Sequence, residues 1–176
     1  TSTNSGGSAT FSQILGGDGA FNAIDNTGDI IYASSQNGNI RRWNVNRWVN
    51  IYNSLAFTAG TTEDFWFINP FEINPVDGKQ LYFPTKNHVI RTTNSGTNWT
   101  KITNSTPGSI FAVGMTPEDN PTLYYGGQSG ILYRINDAKT ASAGSEFKMF
   151  TLAPAIARGG FIGNIEIDPN EPTTIY

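Results

Sequence analysis

Hydrophobic and polar positions alternate along this chain in short runs, and Gly, Asn, Asp and Pro punctuate them. Ala20–Asp25, Ile30–Ser34, Asn39–Trp43 and Arg47–Tyr52 each read as a strand, since a period of two puts every second side chain on one face. Asn26-Thr27-Gly28-Asp29 and Gln36-Asn37-Gly38 separate them with the residues that hairpin turns need for positive φ. No stretch sustains a helical period; the one exception expected is a short piece around Asp137–Gly144.

The pattern repeats. Ile24-Asp25 leads to Ile31-Tyr32 and Arg41, Ile73-Asn74-Pro75 to Leu81-Tyr82 and Arg91, and Met115-Thr116-Pro117 to Leu123-Tyr124 and Arg134. A fourth copy opens with Ile167-Asp168-Pro169 and reaches Ile175-Tyr176. The tyrosines are 50, 42 and 52 residues apart, the period of a four-stranded propeller blade and too long for a single hairpin. Trp48-x-x-Ile51, Trp99-x-x-Ile102 and Phe147-x-x-Phe150 extend the unit as fourth strands, and Phe11-x-x-Ile14 matches them near the start.

The predicted fold is therefore all-β, one propeller domain over 1–176. Blades fall at about 20–52, 66–103 and 109–151, with partial blades at 8–15 and 160–176. Such phasing predicts an interior stretch of a longer chain. In antiparallel blades the connections between blades share a face with the turns between second and third strands. That face is expected to collect Gly16–Gly19, the segment 53–64, Asn104–Gly108 and 153–160.

Composition narrows the function. Charged residues are 14% and the net charge is −3, with basic residues scattered apart from Arg41, Arg42 and Arg47, so no nucleic-acid footprint is present. No apolar run is long enough for a membrane-spanning helix. With no cysteine, disulfides, thiolate nucleophiles and Cys-based metal sites are excluded together. His88 is the single histidine, which removes a multi-imidazole zinc site and leaves an ordinary turn residue; no metal or cofactor is expected. Few charges with abundant Gly, Asn, Ser and Thr suggest an exported bacterial protein, secreted or held at the cell surface.

Thr92-Thr93-Asn94-Ser95-Gly96-Thr97-Asn98-Trp99 resembles the Asp-box, Ser-x-Asp-x-Gly-x-Thr-Trp, of sialidase-type and sortilin-type propellers. It departs from the box at Asn94 and Asn98. The resemblance implies structural roles: Asn94 would accept backbone N–H bonds, Gly96 would make the turn, and Trp99 would pack between strands. The wider run from Gly16 to Arg42 is similar to secreted bacterial propellers with sortilin-type or Asp-box-like repeats, and the likeness covers nearly the whole chain. Such blades serve glycosidases, adhesins and scaffolds alike.

A more distant similarity, to propeller xyloglucanases, runs through Ala33–Trp43, where the catalytic Asp position holds Gln36. An amide can neither protonate a leaving oxygen nor act as a nucleophile. Sialidases need an arginine cluster and a Tyr-Glu pair, whereas the arginines here follow the blade repeat. Gly16-Gly17-Asp18-Gly19 lacks the Lys-Ser/Thr ending and helix of a phosphate loop.

These residues favour a non-catalytic binding or scaffold module. The alternatives are a glycoside hydrolase whose carboxylates lie outside this segment, and a cargo or partner subunit of a secretion or surface assembly. For a glycan or protein ligand the candidate site residues are Asp18, Glu63, Asp64, Trp66 and Arg158, all in or beside the connections on one face. Trp66 offers a stacking surface, the acids accept hydroxyl or N–H bonds, and Arg158 can fork to a carboxylate.

Overall fold

The structure is a computed structural model that describes residues 13, 15–44, 46–52, 65–106, 108–128, 130–151 and 161–176. Twelve strands form three four-stranded antiparallel sheets. The first holds β1 (Gly19–Ile24), β2 (Ile31–Ser35), β3 (Ile40–Asn44) and β4 (Arg47–Asn50) in that order. The second holds β5 (Glu72–Asn74), β6 (Asp77–Pro84), β7 (Val89–Thr92) and β8 (Thr100–Lys101). The third holds β9 (Ile110–Met115), β10 (Leu123–Gly127), β11 (Ile131–Ile135) and β12 (Glu146–Thr151).

Each sheet is a meander because its turns are tight. Between β2 and β3, Asn37 and Gly38 take φ of 60° and 73°, as a short hairpin requires. At Asp25 the carboxylate accepts the Ile30 N–H at 3.0 Å and the Thr27 hydroxyl at 2.7 Å, closing the turn that starts β2.

The sheets join through alternate faces of their strands. Tyr32, Ile40 and Ile51 of the first pack on Ile73, Leu81, Phe83 and Ile90 of the second. Tyr82, Val89 and Ile102 of the second pack on Val113, Leu123, Tyr125 and Ile135 of the third. Neighbouring residues of β6 thus face opposite ways, Leu81 back and Tyr82 forward, as strand geometry dictates. A fourth sheet begins at the antiparallel bridge between Ile167 and Ile175. Ile162, Ile165, Ile167 and Ile175 lie on Ala112, Tyr124 and Leu132 of the third sheet.

A polar latch accompanies each complete joint. In register, Tyr32 pairs with Arg42, Tyr82 with Arg91 and Tyr124 with Arg134. Tyr32 donates its hydroxyl to the Gly78 carbonyl at 2.9 Å, and Arg42 donates Nη1 to the Ser95 carbonyl at 2.7 Å. Arg91 does the same one sheet on, to the carbonyls of Ala138 at 2.7 Å and Ala141 at 3.0 Å.

These pairings correct the repeat as read from sequence. The first-sheet arginine equivalent to Arg91 and Arg134 is Arg42; Arg41 is one residue earlier and so on the opposite face. Trp48 and Phe147 stand in β4 and β12, but Trp99 immediately precedes β8. Asp137–Gly144 forms turns instead of a helix; the Thr140 and Ala141 amides both donate to the Asp137 carbonyl, at 2.9 and 3.0 Å. The segments 8–12, 53–64 and 152–160, and Ile14, lie outside the described residues.

The turn from Thr92 to Trp99 is held by its own side chains. Asn94 Oδ1 accepts the Asn98 N–H at 2.9 Å and the Thr92 hydroxyl at 3.0 Å, while Thr92 Oγ1 accepts the Gly96 N–H at 2.9 Å. Ser95 and Gly96 sit at φ of 57° and 83°, and a Cβ on Gly96 would stand 2.6 Å from Ile51 Cδ1. Trp99 is buried in the joint between the first two sheets.

Candidate functional site

Trp66 precedes β5, in the connection between the first and second sheets. Its Nε1–H donates to the Ile110 carbonyl at 3.1 Å, which fixes the indole against the start of β9. The Trp66 and Phe111 rings lie 5.0 Å apart, and Phe161 meets Phe111 edge-on at 5.4 Å. The Lys86 ammonium stands 5.4 Å from the centre of a Trp66 ring, within cation–π reach. Trp66, Phe111 and Phe161, with Gln128 and Gly163, line a cleft of about 570 Å³.

The sheet topology explains why these residues meet. Lys86 and Gln128 occupy the turns between second and third strands, and Trp66 and Phe161 lie in stretches leading into a sheet. Antiparallel meanders put all of these at one end. The result is an aromatic floor carrying one amide and one cation, of a size suited to a small ligand or an inserted side chain. Phe161 is 59% exposed, so much of that floor faces solvent.

Of the residues proposed from sequence, Trp66 lines this cleft. Asp18 does not: its amide donates to Gln36 Oε1 at 2.9 Å, beside a separate recess of about 160 Å³ bordered by Gly17, Gly19, Asn22 and Ser35. Gln36 is therefore a brace for the chain entering β1. Glu63, Asp64 and Arg158 lie outside the described residues. Asn94, Gly96 and Trp99 belong to the turn above, whose Ser95 carbonyl takes the Arg42 latch. His88 Nδ1 stands 3.2 Å from the Thr103 carbonyl, and its backbone N–H donates to Thr85 Oγ1 at 3.1 Å.

Phe111, Phe161, Gln128 and Lys86 were not singled out by sequence reasoning. The available signal was positional, since each stands where the topology gathers connections and turns. A further residue emerges on β5. Glu72 on β5 is exposed to solvent, yet desolvation by the protein around it, with the nearby Glu166 carboxylate, pushes its carboxyl up to about 7. Among the described residues, no group of three or more His, Asp or Glu could hold a metal ion.

No family model matches the chain, and no curated protein matches it. Solved structures do. The chain is similar to the WD40 β-propeller domain of Doa1, at 11% identity over 86% of this chain and 45% of that one, with a TM-score of 0.58. It is similar to the RRP9 WD40 repeats, at 12% identity over 87% and 43%, with a TM-score of 0.61. It is also similar to the GH74 xyloglucanase from Xanthomonas campestris, at 18% identity over 90% and 26%, with a TM-score of 0.59. The chain spans less than half the length of each. At such identities the likeness speaks for architecture alone: these are sheets of a β-propeller.

Proposed function

We propose that the chain is part of a larger propeller acting as a binding module, and that its ligand, a glycan or an extended protein segment, seats on the Trp66–Phe111–Phe161 floor. The observation that carries this is the cleft itself: three aromatic rings from separate segments converge at the end where turns and connections gather. Aromatic faces bind sugar C–H faces and apolar side chains, and Gln128 offers a donor and an acceptor to set orientation. A secreted or surface-attached bacterial protein with Asp-box-like repeats is the setting we infer. The Thr92–Trp99 turn supports that part of the reading, since Asn94 accepts the bonds the box would assign to its aspartate.

The test is binding to glycan arrays and to extracellular matrix proteins, comparing the parent with Trp66→Ala and Phe161→Ala. Each substitution should weaken binding at least about tenfold, the scale of a lost aromatic contact at a site centre. Both variants should retain the parent circular dichroism. Unchanged binding by both would remove the cleft from consideration.

A second, catalytic reading rests on Glu72. A carboxyl that desolvation and the Glu166 carboxylate raise to about 7 is about half protonated at neutral pH, the range in which a carboxyl can serve as a general acid. Hydrolysis of polymeric β-glycans that follows an ionisation near 7 and is lost in Glu72→Gln would favour it over the binding module.

A further inference from the structure

The walls of the aromatic cleft discriminate between classes of ligand. Among the described residues that line it, Gln128 alone brings a polar side chain free to meet a ligand, because the Trp66 indole N–H is given to the Ile110 carbonyl. A sugar ring enclosed there would bury several hydroxyls against one carboxamide, and buried hydroxyls without partners are costly. The rings are also mutually inclined, Trp66 to Phe111 by 34° and Phe111 to Phe161 by 63°. They make a hollow for a branched or ring side chain, not a platform for the flat face of a sugar.

Charge narrows the choice further. The Lys86 ammonium already lies over Trp66, and a second cation at the same rings would meet its repulsion. Beyond the cleft, Phe67 and Ile68 follow Trp66 along the connection and are 57% and 37% exposed. The Phe67 carbonyl accepts the Asn37 N–H at 2.9 Å, so this apolar stretch runs from the cleft to the turn between β2 and β3. An elongated apolar surface with few charges has the composition of a protein interface core.

We propose that the ligand is a protein segment in extended conformation, which inserts one uncharged apolar side chain into the Trp66–Phe111–Phe161 hollow and bonds its backbone to Gln128. The inference rests on the binding-module reading above and narrows its ligand from two classes to one. A carboxamide carries an acceptor oxygen beside a donor NH₂, which matches the N–H and C=O of a main chain. Backbone bonds hold the segment, and the hollow selects its side chain.

A phage-displayed library of random dodecapeptides, selected on the intact chain, supplies the probe, and fluorescence anisotropy with the synthetic peptides measures it. The selected peptides should share an apolar residue whose change to alanine weakens binding at least about tenfold, as should Trp66→Ala or Phe161→Ala in the protein. Exchange of that residue for lysine should abolish binding. N-methylation of the peptide bond at the anchor should weaken binding about fivefold in the parent and add nothing further in Gln128→Ala, a coupling that a purely structural Gln128 would not produce. The changes made in the peptide read the site even where Trp66→Ala disturbs the fold.

The outcomes separate this inference from the reading beneath it. A glycan on the array that requires Trp66, with no peptide selected, would overturn the protein-segment assignment and leave the binding module standing. Peptides anchored by lysine or arginine, or indifferent to Trp66 and Phe161, would overturn the assignment too, as would additive effects of N-methylation and Gln128→Ala. Silence of both library and array would remove the binding module together with its ligand.

Discussion

Replacing Tyr32 with Phe removes one oxygen from the centre of the first joint and leaves its shape intact. Tyr32 is fully buried, and its hydroxyl donates to the Gly78 carbonyl at 2.9 Å. Burial pushes the phenol up to about 12, so the group remains a neutral donor throughout the ordinary pH range. The substitution forfeits a net hydrogen bond and leaves the Gly78 carbonyl without that donor inside the joint, together costing about 1–3 kcal/mol. For a chain of this size that is a fall in Tm of about 3–8 °C. No cavity or strain confuses the reading, because the ring remains against Phe71. Urea and thermal unfolding followed by far-ultraviolet circular dichroism would measure it, with Tyr176→Phe as the control. Tyr176 holds the same place in the repeat but is 75% exposed, so its loss of a hydroxyl should change stability by less than about 0.5 kcal/mol. Equal effects at the two positions would refute the idea that Tyr32 acts as a latch between the first two sheets.

Asn94→Ala should cost about 1–2 kcal/mol in urea denaturation, because Asn94 Oδ1 takes both the Asn98 amide and the Thr92 hydroxyl. Gly96→Ala should be at least as damaging in the same assay, given its φ of 83° and the 2.6 Å approach to Ile51. Glu72 sets a pH dependence: its folded value of about 7 lies above the ordinary glutamate value of 4.5, so its neutral form stabilises the fold below 4.5 and that contribution is lost as pH rises through 7. Tm should therefore fall between about pH 5 and pH 8, and Glu72→Gln should flatten that fall.

The strands were legible because their apolar residues alternate and their turns carry Gly and Asn, so Ile31-Tyr32, Leu81-Tyr82 and Leu123-Tyr124 fall on second strands as their spacing implies. The arginine of the first repeat was not. Arg41 and Arg42 are adjacent, sequence spacing admits either, and a one-residue slip on a strand exchanges the two faces. Only the register with Tyr32 decides. At the site, Trp66 was visible as a tryptophan in a connection, but nothing in the sequence around Phe111 and Phe161 set them apart from the chain's other phenylalanines. They become a floor when the stacking of sheets brings together rings far apart in sequence. Asp18 was singled out by its place in a connection between sheets, and the structure sets its backbone beside a different recess, where its amide donates to Gln36.

The opposed facing of Leu81 and Tyr82 gives every sheet a direction. Forward surfaces carry tyrosine and arginine, rear surfaces carry aliphatic side chains and acceptor carbonyls, and the two are complementary to each other but not to themselves. Contacts of that kind are heterologous, so sheets of this design cannot pair about a twofold axis through these faces. They can only follow one another with a constant handed rotation, and the sum of those rotations decides between a closed ring and an open spiral. A substitution that alters the angle at one joint, even with no loss of stability, would therefore register as a change in how many sheets complete the circle.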